Sequence, residues 1–207
     1  MPGAPEGVAK GVVWDIGNVI VRWNPRTLYQ KIFLDPAECD WFLSHVCTLA
    51  WNAEFDRGRP MAEGIAELCA RHPDHASAIR AWRERWWETF SGPIPETVDA
   101  IEVLHARGAP QFGLSNMSAE TAPGTLAMDP AFRRLGVIVI SGEVGLIKPD
   151  PKIFALALAR FGMDAGDLLF VDDNADNIAA ARDAGFHTHH FQDPADLAPA
   201  LGRIGLL

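Results

Sequence analysis

Short β-rich runs, most of them apolar, recur along the chain, separated by longer stretches whose apolar residues fall at helical spacing. Gly11 to Trp14, Gln111 to Leu114, Val137 to Ile140, Leu168 to Val171 and Phe186 to Phe191 are a few residues long and predict strands. The stretches between several of them are punctuated like helices. Pro95 opens a segment that runs to Arg107 and stops at Gly108, and Asp150-Pro151 offers an N-cap and N1 pair for a helix ending at Gly162. A further helix runs from about Ala175 to Ala184 and closes at Gly185. This alternation predicts an α/β fold, a Rossmann-like three-layer core in which helices cover both faces of a parallel sheet.

One interval breaks the rhythm. Trp23 to Phe90 holds helical patterns and no convincing strand, although a crossover between parallel strands needs only a dozen or more residues. The excess predicts an inserted helical cap with segments near Pro36 to Val46, Trp51 to Asp56, Met61 to Arg71 and His75 to Phe90; Pro93 and Pro95 mark the return. The expected organisation is therefore a core of residues 1–22 and 92–207 and a cap of residues 23–91.

Composition narrows the class. A chain of 207 residues, 48% of them hydrophobic, can bury the core of one domain with a small insertion. Its apolar runs fall far below the ~20 residues that cross a bilayer. Met1 to Gly11 has no apolar h-region and reads as a loose tail, so a cytoplasmic protein is expected. A formal charge of −9 argues against nucleic acid and anionic membranes as partners. Any phosphate must then be met by a local positive site. Cys39, Cys47 and Cys69 are odd in number and lack CxxC spacing, which predicts reduced thiols. The chain is expected to act as a monomer or homodimer.

The chemistry is carried at strand ends. Asp15 ends the first predicted strand, at the carboxyl edge where ligands of open α/β sheets bind. Leu114-Ser115-Asn116 ends the second, and the third leads through Ser141 to Lys148-Pro149-Asp150, just before a helix start. The fourth ends in Asp172-Asp173-Asn174-Ala175-Asp176-Asn177, whose crowded acids make a cation plausible. Each has an ordinary reading as a cap, a turn or a solvated charge. Their joint placement at successive strand ends is what points to a site.

In this order and spacing the chain resembles the haloacid dehalogenase-like hydrolase superfamily, and within it the small bacterial phosphatases of the α-D-glucose-1-phosphate phosphatase type. The resemblance implies a C1-type cap and a small phosphate ester as substrate, hydrolysed through a covalent aspartyl-phosphate on Asp15. It further implies Mg²⁺ held by Asp15, the Gly17 carbonyl and Asp173. Ser115, Asn116 and Lys148 would bind the phosphoryl group, with Lys148 counted among the catalytic residues. Asp172, Asp176 and Asn177 would support these from behind.

Two positions depart from the family pattern. Most superfamily phosphatases carry an acid/base Asp two residues after the nucleophile, where this chain has Gly17, and the fourth motif ends in Asn177 instead of Asp. Losing a general acid forfeits ~10²–10⁴ in rate unless the leaving group is good or another group donates. Gly17 also keeps open a 2-haloacid dehalogenase using Asp15 on carbon, and beside it a catalytically silent binding module. Trp23 and Asn24, at the entry to the cap, and Arg57, in an expected cap loop, are candidates to touch the substrate. Trp82 and Trp86, four apart, predict packing within the cap, and His187, His189 and His190 predict a strand-end surface.

Overall fold

The computed structural model describes residues 8–207. It contains β1 (Gly11–Trp14), β2 (Val21–Trp23), β3 (Phe90–Pro93), β4 (Gln111–Ser115), β5 (Ile138–Ile140), β6 (Leu168–Asp172) and β7 (His187–His190). Five of these strands form one sheet in the order β5-β4-β1-β6-β7, every neighbouring pair parallel. Every residue of β1, β4 and β6 is buried, as expected of parallel strands covered on both faces.

The pleat divides the core in two. Val12 and Trp14 join Ile101 and Leu104 of helix Pro95–Ala106 and Leu197 and Leu201 of helix Leu197–Arg203. Val13 and Phe170 join Ile153, Phe154 and Ala157 of helix Pro151–Phe161 and Ile178 of helix Ala175–Asp183. The result is the three-layer α/β architecture read from the sequence. Trp14 is fully enclosed with its Nε1–H donating to Gln111 Oε1 at 3.1 Å, so its burial strands no polar group.

Residues between β2 and β3 close around their own apolar cluster, which includes Leu28, Tyr29, Phe42, Phe55, Ile79 and Trp82. Helices Pro36–His45, Leu49–Asp56, Met61–Arg71 and Ala76–Glu84 supply most of it. Two of them have side-chain caps: Asp35 accepts from the Ala37 N–H and Thr48 from the Trp51 N–H. We refer to this helical insertion as the cap.

Three local expectations change. The predicted border regions contain strands, because β2 and β3 pair antiparallel with Trp23 opposite Phe90. Gly92 and Pro93 hide the strand pattern of β3. The predicted helix from His75 to Phe90 ends at Glu84, and Trp86–Thr89 forms a 3₁₀ turn in which Thr89 Oγ1 donates to the Trp86 carbonyl. Trp82 and Trp86 still pack together, with ring centroids 5.9 Å apart. The loose tail is also shorter than expected: Ala9 and Lys10 donate backbone hydrogen bonds to Ile204 and Asp167, while residues 1–7 lie outside the described residues. Cys39, Cys47 and Cys69 are free thiols, and burial pushes Cys47 up to about 12. Among the described residues no helix is long and apolar enough to cross a membrane.

Candidate active site

The parallel sheet brings the four motifs to one edge. Asp15 immediately follows β1, Ser115 and Asp172 end β4 and β6, and Lys148 lies in the connection from β5 to helix Pro151–Phe161. The Lys148 ammonium is almost fully buried and donates three ways: to Asp15 Oδ1 at 2.9 Å, Asp172 Oδ2 at 2.7 Å and the Leu114 carbonyl at 2.8 Å. All three of its protons therefore have partners. Its backbone is fixed as well, since Asn116 Nδ2 donates to the Lys148 carbonyl and Asn116 Oδ1 accepts from the Lys148 N–H.

Asp15 Oδ1 accepts from Lys148 and from the Ile16 N–H at 2.7 Å. Asp172, with no exposed surface, is saturated from within: Oδ1 accepts from the Asn174 N–H and Asn177 Nδ2, and Oδ2 from Lys148 and Asn177 Nδ2. Asn177 thus supplies neutral donors to a buried carboxylate at the position where the family pattern has an acid. Another acid there would add repulsion beside Asp172.

Electrostatics leaves the cluster short of positive charge. Ligand atoms of Asp15, Asp172 and Asp173 lie within 4.8 Å of one another. Burial opposes a charged Lys148, but Asp15 and Asp172 outweigh it and hold the ammonium above its ordinary value. Burial pushes Asp15 up to about 7, with Asp172 and Asp173 adding to the rise and Lys148 opposing it. Asp173 is raised by burial and by Asp172. With Asp172 saturated behind them, Asp15 and Asp173 present hard oxygen donors on the cavity wall that fit a divalent cation such as Mg²⁺.

Above this cluster lies a cavity of about 340 Å³. Its core side is lined by Asp15, Gly17, Asn18, Ser115, Asn116, Lys148, Asp173 and Asn177, and its other side by Trp23, Leu49, Asn52, Asp56, Trp86 and Phe90. Asp172 sits beneath, bonded to Lys148. Three sequence candidates are placed elsewhere. Asn24 is used in a local turn, its Oδ1 accepting from the Arg26 N–H. Arg57 is exposed and folds back to donate to the Ala53 carbonyl, and Asp176 is exposed in the first turn of its helix.

The cavity also contains residues that the sequence did not single out. Asn18 adopts the left-handed conformation, at φ 57°, and its Oδ1 accepts from the Trp23 N–H. The Gly17-Asn18 pair was the available signal, because Asn tolerates that conformation better than most residues. Asn52 and Asp56 lie one helical turn apart and join through Asn52 Nδ2 to Asp56 Oδ2 at 3.0 Å. Of the terminal histidines, His190 Nε2 lies 2.9 Å from the Asp173 carbonyl, which ties β7 to the fourth motif.

The model of the haloacid dehalogenase-like hydrolase family matches residues 9–185, taking in the whole sheet edge except β7. This chain belongs to that family. An (S)-2-haloacid dehalogenase of Pseudomonas putida is 34% identical over 97 residues, which cover 45% of this chain and 41% of that enzyme. The D-ribitol-5-phosphate phosphatase of Bacteroides thetaiotaomicron is 25% identical across 90% of this chain and 94% of its own. The chain thus spans less than half the length of several curated haloacid dehalogenases that it matches. Solved structures share the fold. A HAD-like hydrolase from Porphyromonas gingivalis superposes with a TM-score of 0.72 at 23% identity, over 96% of this chain and 98% of its own. A HAD family enzyme from Bacteroides thetaiotaomicron, crystallised with magnesium and inorganic phosphate, gives 0.66 at 18% identity, over 91% and 98%.

Proposed function

We propose that this haloacid dehalogenase-like hydrolase is a Mg²⁺-dependent phosphatase of a small phosphate ester, a sugar phosphate fitting the cavity's size and polarity. The observation that carries the reading is the charge balance of the site. Asp15, Asp56 and Asp173 line the cavity, and among the described residues its lining includes no arginine and a single lysine, Lys148, which is engaged by two carboxylates. An anionic substrate approaching such a surface is repelled unless a cation bridges it, which suits a phosphate more than a metal-free 2-haloacid.

Asp15, the Gly17 carbonyl and Asp173 would hold the ion, which would supply charge neutralisation between the acids and a phosphate oxygen. The protein's own steps follow from the geometry. Lys148 and the Ile16 N–H pin Asp15 Oδ1, so Oδ2 is the atom left to attack phosphorus and form an aspartyl-phosphate. Ser115, the Asn116 backbone and Lys148 stabilise the transferring phosphoryl oxygens. Asp172 does not touch substrate; it holds Lys148 charged and in place. Trp23, Trp86 and Leu49 wall the space for the leaving group.

The decisive experiment assays phosphate esters and 2-haloacids with Mg²⁺ and with chelator, using the natural chain and Asp15→Asn. Phosphate release that requires both Mg²⁺ and Asp15 is expected. Halide release unaffected by chelator, with no phosphate release, would replace this reading with dehalogenation.

A further inference from the structure

The phosphatase reading leaves one proton unaccounted for. When the phosphorus to leaving-oxygen bond breaks, an alkoxide needs a proton, and Gly17 has no side chain to give one. The cavity contains three aspartates. Asp15 is the nucleophile and Asp173 belongs to the acidic cluster; Asp56 belongs to neither, because it lies outside the group of carboxylates that approach one another within 4.8 Å.

Asp56 is delivered from the opposite wall. It ends helix Leu49–Asp56, is 9% exposed and lines the cavity beside Leu49, Trp86 and Met117. Asn52, one turn earlier, donates to Oδ2 and fixes the orientation of the carboxyl, while Oδ1 receives no side-chain hydrogen bond among the described residues. The groups acting on it are few. Arg57, its neighbour, and the Ser118 amide favour the carboxylate, whereas burial and Asp15 across the cavity favour the acid, with burial the largest. Burial raises the group to about 7, so both forms are populated near neutrality, as a residue that gives and then regains a proton requires.

We propose that Asp56 is the general acid of this enzyme, protonating the leaving-group oxygen from the cap side in place of the residue absent at Gly17; the proposal rests on the phosphatase reading. In the first step Asp15 Oδ2 bonds to phosphorus, the bond from phosphorus to the leaving oxygen breaks, and the Asp56 carboxyl proton passes to that oxygen, yielding the alcohol. In the second, the Asp56 carboxylate takes a proton from water as the water oxygen bonds to phosphorus. The bond to Asp15 breaks, giving inorganic phosphate and restoring both side chains.

The test compares kcat/KM, which reports steps through leaving-group departure, on glycerol phosphate and on p-nitrophenyl phosphate. The alkoxide of the first needs a proton; the phenolate of the second scarcely does. Asp56→Asn is expected to lose ~10²–10⁴ on the alkyl ester and at least tenfold less on the aryl ester. It should also lose the fall in kcat/KM on the alkaline side of neutrality. Asp56→Glu should recover part of the alkyl-ester rate. Gly17→Asp should do the same in the Asp56→Asn background, since a β-carbon at Gly17 meets no atom within 4 Å. Equal losses on both esters, or a rise in KM with kcat intact, would show that Asp56 only positions substrate or cap, and the proposal would fall. The two levels fail separately: halide release with no phosphate release, or phosphate release surviving Asp15→Asn, removes the Asp15 phosphatase mechanism on which the proposal rests, whereas loss of phosphate release in Asp15→Asn beside an even-handed Asp56→Asn removes the proposal alone.

Discussion

At the scale of single residues, Asp56 and Arg57 show how little separates a site residue from a surface one. A helix turns about 100° per residue, so Asp56 faces the cavity while Arg57 faces solvent, and loop arginines draw the eye first. Asp56 also has a cost. Its carboxyl titrates near 4 when unfolded and near 7 here, so between those pH values the folded state binds the additional proton and stability falls as pH rises. A shift of this size corresponds to on the order of 4 kcal/mol above pH 7. Asp56→Asn should therefore be more stable than the natural chain at pH 8, with the difference shrinking toward pH 4, in urea melts followed by tryptophan fluorescence. A gain that is the same at both pH values would contradict the assignment of the cost to this carboxyl.

At the scale of elements, β1, β4, β5 and β6 were legible because each is short, largely apolar and ends at a turn, whereas β2 and β3 were not, and Asp15, Ser115 and Asp172 could be placed by counting to the strand's end. Lys148 was legible only through the resemblance, for nothing near it in sequence announces that Asp15 and Asp172 converge on it. Asn52 and Asp56 were not legible, since their function depends on how a cap helix meets the sheet edge. The sheet edge itself is closely packed. A β-carbon at Gly142 would meet the Ala119 amide nitrogen at 2.5 Å and the Met117 carbonyl oxygen at 2.8 Å. Both are backbone atoms of the segment that follows Ser115 and Asn116. Gly142→Ala should accordingly displace that segment, costing about 1–3 kcal/mol and most phosphatase activity. Gly17→Ala, with open space around it, should change stability by less than about 0.5 kcal/mol in the same melts.

At the scale of the whole molecule, the chain carries −9 overall and concentrates three carboxylates at one sheet edge. Folding places that repulsion in a partly buried site, and an ion that binds only the folded form would relieve it. Millimolar Mg²⁺ should raise the melting temperature, and Asp173→Asn should abolish most of the rise. An equal rise in both proteins would show that the ion acts elsewhere on the acidic surface.

The small ribbon of β2 and β3 has a further consequence for how such enzymes diversify. Because Trp23 and Phe90 stand opposite one another, the chain leaves the core and returns to it at a single point. Everything between can be exchanged without lengthening or redirecting the strands that carry Asp15 and Ser115. A graft of a relative's insertion at these two positions needs no new connection. It would replace Asp56 together with the substrate wall that Trp86 and Leu49 provide, so leaving-group preference and the proposed acid would change as one unit.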